Sequence, residues 1–293
     1  MLTQSWIRTL FARRVTRPIR KKPLRARLVL EALEERWVLS PIVVNNPTDM
    51  PVMGQIDLRQ AIAQANTNGG DQTITFDRTV FKTPQTINLM SGQLEVTDTT
   101  GTEAIVGPEA GVTVNAGGAS RVFQVDGGVA ASISGLTISG GTTTGDGGGL
   151  YNNGGTLTLT NCTVSGNSAT TPASSRGGGL FNLYGTATLS NCTVSGNSAG
   201  RNGGGLYSLY GTATLSNCTV SGNSAGRNGG GMISRATTLT LTNCTFSGNS
   251  CGRIGGGFAA VFGGSATLSN CTVSGNTAGL EGGAGRFAPA QPP

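Results

Sequence analysis

Asn217-Cys218-Thr219-Val220-Ser221-Gly222-Asn223 is the stretch that decides the fold, because the chain contains it five times with few changes. The copies begin at Asn161, Asn191, Asn217, Asn243 and Asn270. Their cysteines are Cys162, Cys192, Cys218, Cys244 and Cys271, which lie 30, 26, 26 and 27 residues apart. Such a period is typical of solenoids, in which each repeat is one supersecondary unit stacked on the next.

The residues inside each repeat predict strands. Residues 212–220 alternate between apolar and polar side chains, and a period of two favours a β-strand. Asn217 falls at the corner between two strands, and the triple glycine at 203–205 is expected to open the next strand at Leu206. The side chains predicted to point inward are Ala213, Leu215, Cys218 and Val220. About three short strands in a 26-residue unit predict one coil of a right-handed parallel β-helix, so the predicted fold class is all-β.

Identical residues of successive coils are expected to stack into ladders about 4.8 Å apart. Asn217 and Asn223 would each belong to a ladder whose side-chain amides hydrogen-bond their copies and the turn backbone. The structural ladder predicted at the first asparagine comprises Asn161, Asn191, Asn217, Asn243 and Asn270. The five repeat cysteines would point the same way and miss the torsion of a disulfide, so they are interpreted as buried free thiols. Cys251 stands where other copies have alanine and receives no role.

The repeat resembles the polymorphic outer-membrane-protein repeat of the pectate-lyase-like β-helix superfamily. The likeness rests on Gly-Gly-Gly-Leu-Tyr at 203–207, followed by Asn-Cys-Thr-Val-Ser-Gly-Asn-Ser-Ala at 217–225. Thr-Phe-Ser-Gly-Asn at 245–249 is the copy nearest to the second half of that pattern. The resemblance covers residues from about 135 to the C terminus, and it implies the β-helix fold while saying little about activity.

Residues 1–45 are predicted to be a basic targeting segment that is not part of the fold. Residues 1–37 hold ten of the twenty basic residues and three of the fourteen acidic ones, without the apolar run of a standard signal peptide. Leu-Glu-Ala-Leu-Glu-Glu-Arg-Trp-Val-Leu-Ser at 30–40 resembles an N-terminal segment of very large surface and secreted proteins of planctomycete-type bacteria. That resemblance implies an extracellular or cell-surface location, and a short amphipathic helix without a sorting role is the alternative.

Residues 46–72 are predicted to be a linker followed by a capping helix. Asp57 and Gln60 have the spacing of a capping box, and apolar residues at 58, 61, 62 and 65 share one helical face. The segment resembles the Ser-Leu-Arg-Glu-Ala-Ile-x-x-Ala-Asn motif that precedes such β-helices in bacterial surface proteins, and a helix here would cover the open solenoid end. Irregular coils are predicted for 73–134, regular repeats for 135–287 and a disordered tail for 288–293. Together, residues 73–287 predict about eight coils.

The net charge of +6 does not indicate nucleic-acid binding. Residues 38–293 hold ten basic and eleven acidic residues, so the excess belongs to the N-terminal segment. No run of eighteen apolar residues occurs, and no transmembrane segment is therefore expected. The chain lacks histidine, and neither a metal nor another cofactor is predicted. The oligomeric state stays open.

Catalysis on acidic polysaccharides would need grouped carboxylates, either paired for hydrolysis or holding calcium for elimination. Residues 133–293 contain two carboxylates, Asp146 and Glu281, which are several coils apart. The N-terminal coils hold Asp71, Asp77, Glu95, Asp98, Glu103, Glu109 and Asp126. These are interpreted as solvated turn residues. A non-enzymatic role is therefore predicted, and a polysaccharide lyase or glycoside hydrolase with a site on the N-terminal coils is the alternative.

A row of arginines is the candidate ligand-binding site. Arg201, Arg227 and Arg253 recur just before a triple glycine, and Arg176 lies near the same place. Like charges about one strand spacing apart must face solvent, where they could bind an acidic polysaccharide or another cell-envelope component, or simply solubilise an edge. The aromatic residues that could stack on sugars, or pack as an internal ladder, are Tyr151, Phe181, Tyr184, Tyr207 and Tyr210. The sequence thus predicts an exported binding, adhesive or structural module.

Overall fold

The computed structural model describes residues 40–287, and within them the chain forms one α-helix and a long series of short strands. The helix is α1 (Leu58–Asn68). The strands before the regular repeats are β1 (Ile42–Val44), β2 (Gln72–Phe76), β3 (Gln85–Asn88), β4 (Leu94–Val96), β5 (Thr102–Val106), β6 (Val112–Asn115), β7 (Phe123–Val125) and β8 (Ala130–Ser134). The strands of the next three coils are β9 (Leu136–Ser139), β10 (Thr142–Thr143), β11 (Leu150–Asn153), β12 (Thr156–Thr160), β13 (Thr163–Ser165), β14 (Ser168–Ala169), β15 (Leu180–Leu183), β16 (Thr186–Ser190), β17 (Thr193–Ser195), β18 (Ser198–Ala199) and β19 (Leu206–Leu209). The last strands are β20 (Thr212–Ser216), β21 (Thr219–Ser221), β22 (Ser224–Ala225), β23 (Met232–Arg235), β24 (Thr238–Thr242), β25 (Thr245–Ser247), β26 (Ser250–Cys251), β27 (Phe258–Val261), β28 (Ser265–Ser269), β29 (Thr272–Ser274), β30 (Thr277–Ala278) and β31 (Gly285–Phe287).

The strands form four parallel sheets that run along the solenoid, numbered here in the order in which one coil visits them. The first sheet is β1-β2-β5-β8-β12-β16-β20-β24-β28, and the second is β3-β6-β9-β13-β17-β21-β25-β29. The third sheet is β10-β14-β18-β22-β26-β30, and the fourth is β4-β7-β11-β15-β19-β23-β27-β31. The predicted parallel solenoid of about eight coils is confirmed. Each regular coil also contains a two-residue strand, such as Ser224–Ala225, beyond the three that were predicted.

The core follows the predicted alternation. Leu215 of β20 is in register with Leu189 and Leu241 of the neighbouring coils, and all three are fully buried. Ala213, Leu215, Cys218 and Val220 are each at most 2% exposed, as predicted from their spacing. One continuous apolar core therefore runs the length of the solenoid, built from the same positions in every coil.

The two asparagines of each repeat have different roles, which corrects one prediction. The first asparagine is exposed and left-handed, with φ near 55° at Asn217, and along this column one amide contact links Asn243 to Asn217. The buried ladder is formed by the second asparagine. The Nδ2 and backbone N of Asn197 both donate to Oδ1 of Asn223, at 3.0 Å each. The role of Asn217 is therefore to adopt the left-handed backbone that the turn requires, which a short polar side chain tolerates.

The cysteines form the predicted column of free thiols. Cys162, Cys192, Cys218 and Cys244 are buried and Cys271 of the last coil is half-buried. The Sγ of Cys218 lies 3.3 Å from the Ser216 carbonyl oxygen, and the neighbouring thiol of Cys192 together with burial raises the pKa of Cys218 to about 11. Cys251 is a buried free thiol of the third sheet, in register with Ala225.

Helix α1 lies across the N-terminal coil, where its capping box is present as predicted. Asp57 accepts from the backbone N of Gln60, and the Gln60 side chain accepts from the backbone N of Asp57. Arg59 donates to the carbonyl oxygens of Gly92 and Gln93, and the buried faces of the helix include Leu58 and Ile62. The helix thus packs on the first coil and joins it by side-chain hydrogen bonds.

The predicted boundary at residue 45 is wrong. Strand β1 pairs in parallel with β2, and Ile42 and Val44 are buried in the core. The supposed linker is also fixed, because buried Asp49 accepts two hydrogen bonds from Arg59, at 2.8 and 3.0 Å. Strand β1 has only three residues, and alternation of apolar and polar side chains cannot be recognised in so short a stretch of sequence. The rest of the predicted targeting segment and the predicted tail lie outside the described residues.

Within residues 40–287, no helix is long and apolar enough to cross a membrane.

Candidate ligand-binding groove

The outer face of the fourth sheet carries three of the aromatic residues singled out in the sequence, Tyr151, Phe181 and Tyr207. One outward column runs Glu95, Gln124, Tyr151, Phe181, Tyr207, Ile233, Ala259 and Arg286. A second outward column runs Asn153, Leu183, Leu209, Arg235 and Val261. Strand register thus gathers side chains that are 26 to 30 residues apart onto one continuous face.

The arginine row exists, but Arg176 is not part of it. The backbone N of Arg227 donates to the Arg201 carbonyl oxygen, and that of Arg253 to the Arg227 carbonyl oxygen, each at 2.7 Å. These three residues therefore sit at one position of successive coils. Arg176 pairs instead with Asn202, one position further along the chain. The 30-residue coil that contains Arg176 is longer by four residues than the next, and this insertion obscures the alignment.

A groove of about 440 Å³ lies along the row. Its basic lining residues are Arg201, Arg227, Arg235, Arg253 and Arg286. Its aromatic, aliphatic and remaining polar lining residues are Tyr207, Ile233, Ile254, Val261, Phe262, Leu280, Asn202, Asn228 and Glu281. Glu281 forms an ion pair with Arg286, so four of the five arginines line the groove without an ion-pair partner among the described residues. The groove is therefore basic, with an apolar floor.

Sequence reasoning missed two of these arginines. Arg235 replaces the leucine found at Leu209, and Arg286 continues the column of Ala259. Aligning the repeats on the residues after the triple glycine would have placed Arg235 on the outward side, whereas Arg286 lies in a coil whose sequence has diverged.

The aromatic residues divide into a buried ladder and an exposed pair. Phe181 and Tyr207 are each 1% exposed, with Tyr151 stacked on Phe181 at 5.4 Å between centroids. The Arg176 guanidinium lies 5.7 Å from the Tyr207 ring centroid and helps to cover the ladder. Phe181 and Tyr207 therefore pack in the protein and cannot stack on sugars, while Tyr184 and Tyr210 are open to solvent.

A polar cluster occupies the same face nearer the N terminus. Arg121 Nη1 donates to the side-chain oxygens of Gln93 and Gln124, at 2.6 and 3.0 Å, and its guanidinium lies 5.1 Å from the Tyr151 centroid. Burial lowers the pKa of Arg121 and raises the pKa of Asp146 and of Tyr151. Asp146 accepts the backbone N–H of Arg176 at 2.8 Å, so it contributes to holding that turn.

The N-terminal carboxylates are mostly turn residues, as predicted. Asp77 and Asp98 each accept hydrogen bonds from the threonine two residues further on, and Asp71 accepts from the backbone N of Thr102. Glu103 is the exception, because it is 2% exposed inside strand β5. Among residues 40–287, no three His, Cys, Asp or Glu side chains are placed to hold a metal ion.

The likeness of the chain to known proteins lies in its solenoid. Residues 121–287 match the family model described as "Right handed beta helix region". No curated protein matches the chain. Among solved structures, the chain is similar to Escherichia coli YbhC at 12% identity, covering 78% of this chain and 72% of that one, with a TM-score of 0.40. It is also similar to ORF18 of Geobacillus virus E2 at 11% identity, covering 84% of this chain and 62% of that one, with a TM-score of 0.36.

Proposed function

The chain belongs to the right-handed beta helix family, and we propose that its solenoid is a non-enzymatic binding module that holds an acidic polysaccharide in the arginine groove. The observation that carries the proposal is the alignment of Arg201, Arg227 and Arg253 along one groove that Arg235 also lines. The proposed location is the cell surface or the extracellular medium, on the resemblance of residues 30–40 to an export segment and of the repeats to those of outer-membrane proteins.

The spacing of the row favours a linear polyanion. One arginine per coil places cationic groups about 4.8 Å apart along the solenoid axis, and guanidinium groups bind carboxylates through two parallel hydrogen bonds. A single exposed ion pair contributes only about 0.2–1 kcal/mol. Useful affinity therefore requires a ligand that contacts several arginines at once, which a repeating acidic polymer does.

An enzyme acting on polysaccharides is the second candidate, favoured by the cluster around Arg121. Asp126 and Asp146 both lie close enough to the Tyr151 hydroxyl to raise its pKa, after the larger effect of burial. Glycoside hydrolysis needs a pair of carboxylates, and these two lie outside the strands, Asp126 directly after β7 and Asp146 shortly before β11. Asp146 is engaged by the Arg176 backbone and Asp126 by Gln124, however, which favours a structural role for both.

The test compares the full chain with the variant R201Q/R227Q/R253Q on immobilised polygalacturonate. The wild type should bind, with affinity that falls steeply as salt rises, because exposed charges are screened over about 8 Å at physiological ionic strength. The variant should bind about tenfold more weakly, because three exposed ion pairs together contribute about 0.6–3 kcal/mol and tenfold corresponds to about 1.4 kcal/mol. Far-ultraviolet circular dichroism should be unchanged, since all three side chains are half-buried or exposed.

The matched control is R13Q/R17Q/R20Q, which removes the same charge from the basic N-terminal segment. The affinity of this control should stay within about twofold of the wild type. That change is smaller than the one expected from the loss of a single exposed ion pair at the upper end of its range. Equal losses in both variants would mean that net charge alone drives retention and would refute the groove. Under the binding proposal, the wild type does not cleave polygalacturonate. If it produced new reducing or unsaturated chain ends, and D146N did not, the enzyme would be the correct function and the binding module would be refuted.

A further inference from the structure

A column of turn residues borders the fourth sheet on the side opposite to the arginine row. Successive coils place Gly154, Tyr184, Tyr210, Ala236 and Phe262 at this position, as their backbone hydrogen bonds show. All five have left-handed backbone, with φ of 85°, 55°, 55°, 48° and 60° in that order. The turn thus needs a residue that tolerates positive φ, and the first of these coils uses glycine.

The aromatic residues are the unexpected members of this column. Left-handed backbone costs an L-residue about 1–2 kcal/mol, a cost that glycine does not have. Tyr184, Tyr210 and Phe262 offset little of it by burial, because they are 65%, 51% and 56% exposed. The turn itself therefore does not require rings here, and folding alone does not explain them.

The rings form an apolar surface beside the cationic groove. Tyr184 and Tyr210 stack with centroids 5.3 Å apart and planes at 12°. Phe262, two coils further on, lines the groove together with the three row arginines, and the Arg235 guanidinium lies 4.3 Å from its centroid. The aromatic column and the arginine row therefore run parallel along the solenoid, on either side of the same strands.

We propose that Tyr184, Tyr210 and Phe262 stack on the sugar rings of the polysaccharide whose acidic groups the arginine row binds. This inference rests on the proposed function and adds the ligand class, a polyanion built of rings with apolar faces. Stacking an apolar ring face on an exposed aromatic side chain removes both surfaces from water, which stabilises the complex. The arginines supply charge recognition, which any polyanion satisfies. The aromatic column supplies discrimination against polyanions that have no rings.

The experiment measures the affinity of the full chain for polygalacturonate and for polyacrylate, which carries carboxylates but no sugar rings. The variant Y184N/Y210N removes both rings and keeps residues that tolerate left-handed backbone. It should bind polygalacturonate about tenfold more weakly, the equivalent of about 1.4 kcal/mol. Its affinity for polyacrylate should stay within about twofold of the wild type. This change is smaller than the loss of one aromatic contact would cause. Its thermal stability should not fall, because the turn is relieved of two bulky left-handed residues.

A gain of affinity provides the second test. Ala236 lies between Tyr210 and Phe262, so A236Y completes the column. It should strengthen binding to polygalacturonate and leave polyacrylate unaffected, whereas the control A236G should change neither. Equal effects of Y184N/Y210N on both polymers, or none on either, would overturn the aromatic column while leaving the groove intact. A wild type that binds neither polymer would overturn both proposals.

Discussion

Glu103 is an ionisable residue buried in the protein interior. It lies in register between Gln72 and Ala131, which are both buried, and neither of its carboxylate oxygens has a hydrogen-bond partner among the described residues. Burial, with a smaller effect of Asp98, raises the pKa of Glu103 from 4.5 to about 8. The side chain is thus held neutral near pH 7, since an unpaired charge in the interior is costly.

The stability of the protein should fall as pH rises from about 4.5 to about 8. In this window the unfolded chain releases the Glu103 proton while the folded chain retains it, so the slope reaches about 1.4 kcal/mol per pH unit. E103Q should remove this slope and be the more stable protein at pH 9. Thermal melts of both proteins between pH 4 and 9 would show the difference.

Glu95 offers the matched control, because it is an exposed glutamate of strand β4 in the fourth sheet, whereas Glu103 is buried in the first. E95Q should retain the slope that Glu103 produces. Parallel melting curves for E103Q and the wild type would mean that water reaches the Glu103 carboxylate.

At the scale of the elements, the second asparagine of each repeat joins neighbouring coils. Asn223 Nδ2 donates to the Val194 carbonyl oxygen and to Asn249 Oδ1, each at 2.9 Å. Its own Oδ1 accepts from the backbone N and Nδ2 of Asn197. A buried amide therefore satisfies groups of both adjacent coils, and the ladder fixes the turn between the second and third sheets.

N223A should destabilise the protein by about 3 kcal/mol, because several buried polar groups lose their partner and each costs about 1–3 kcal/mol. N217G should cost less than about 1 kcal/mol, since Asn217 is exposed and glycine adopts its left-handed backbone. Urea unfolding midpoints of the two variants would show the contrast. A larger loss for N217G would restore the first asparagine as the stabilising ladder.

Strand β1 makes the N-terminal boundary testable. Truncation before residue 40 keeps Ile42 and Val44, whereas truncation after residue 45 removes both from the core. Each such buried side chain contributes about 1.5–3 kcal/mol. The longer truncation should therefore melt several degrees below the shorter one, as followed by circular dichroism. Coincident melting temperatures would show that β1 adds nothing to the coil it joins.

At the scale of the whole molecule, charge is separated along the chain. Residues 38–132 hold four basic and nine acidic residues, whereas residues 133–293 hold six basic and two acidic ones. A polyanion is therefore repelled by the N-terminal coils and attracted by the coils that carry the groove. This separation favours binding at the groove over catalysis on the Arg121 cluster for any acidic polysaccharide.

The fold was largely determined by the sequence, because a solenoid is specified by contacts between neighbouring copies of one short pattern. Alternation about Cys218 predicted which side chains point inward, and Asp57 with Gln60 predicted the capping helix. The same short pattern of inward and outward residues occurs five times in the sequence. Contacts between residues far apart in the chain therefore have little influence on the fold of each coil.

Tertiary structure decided which residues share a surface. Register between coils excluded Arg176 from the row and brought Arg235 and Phe262 to the groove. It also buried Tyr207 and left Tyr210 open, although the two are three residues apart. Local sequence predicts whether a residue points in or out, but the exposure of an outward side chain depends on turns contributed by adjacent coils, and insertions between repeats shift those turns.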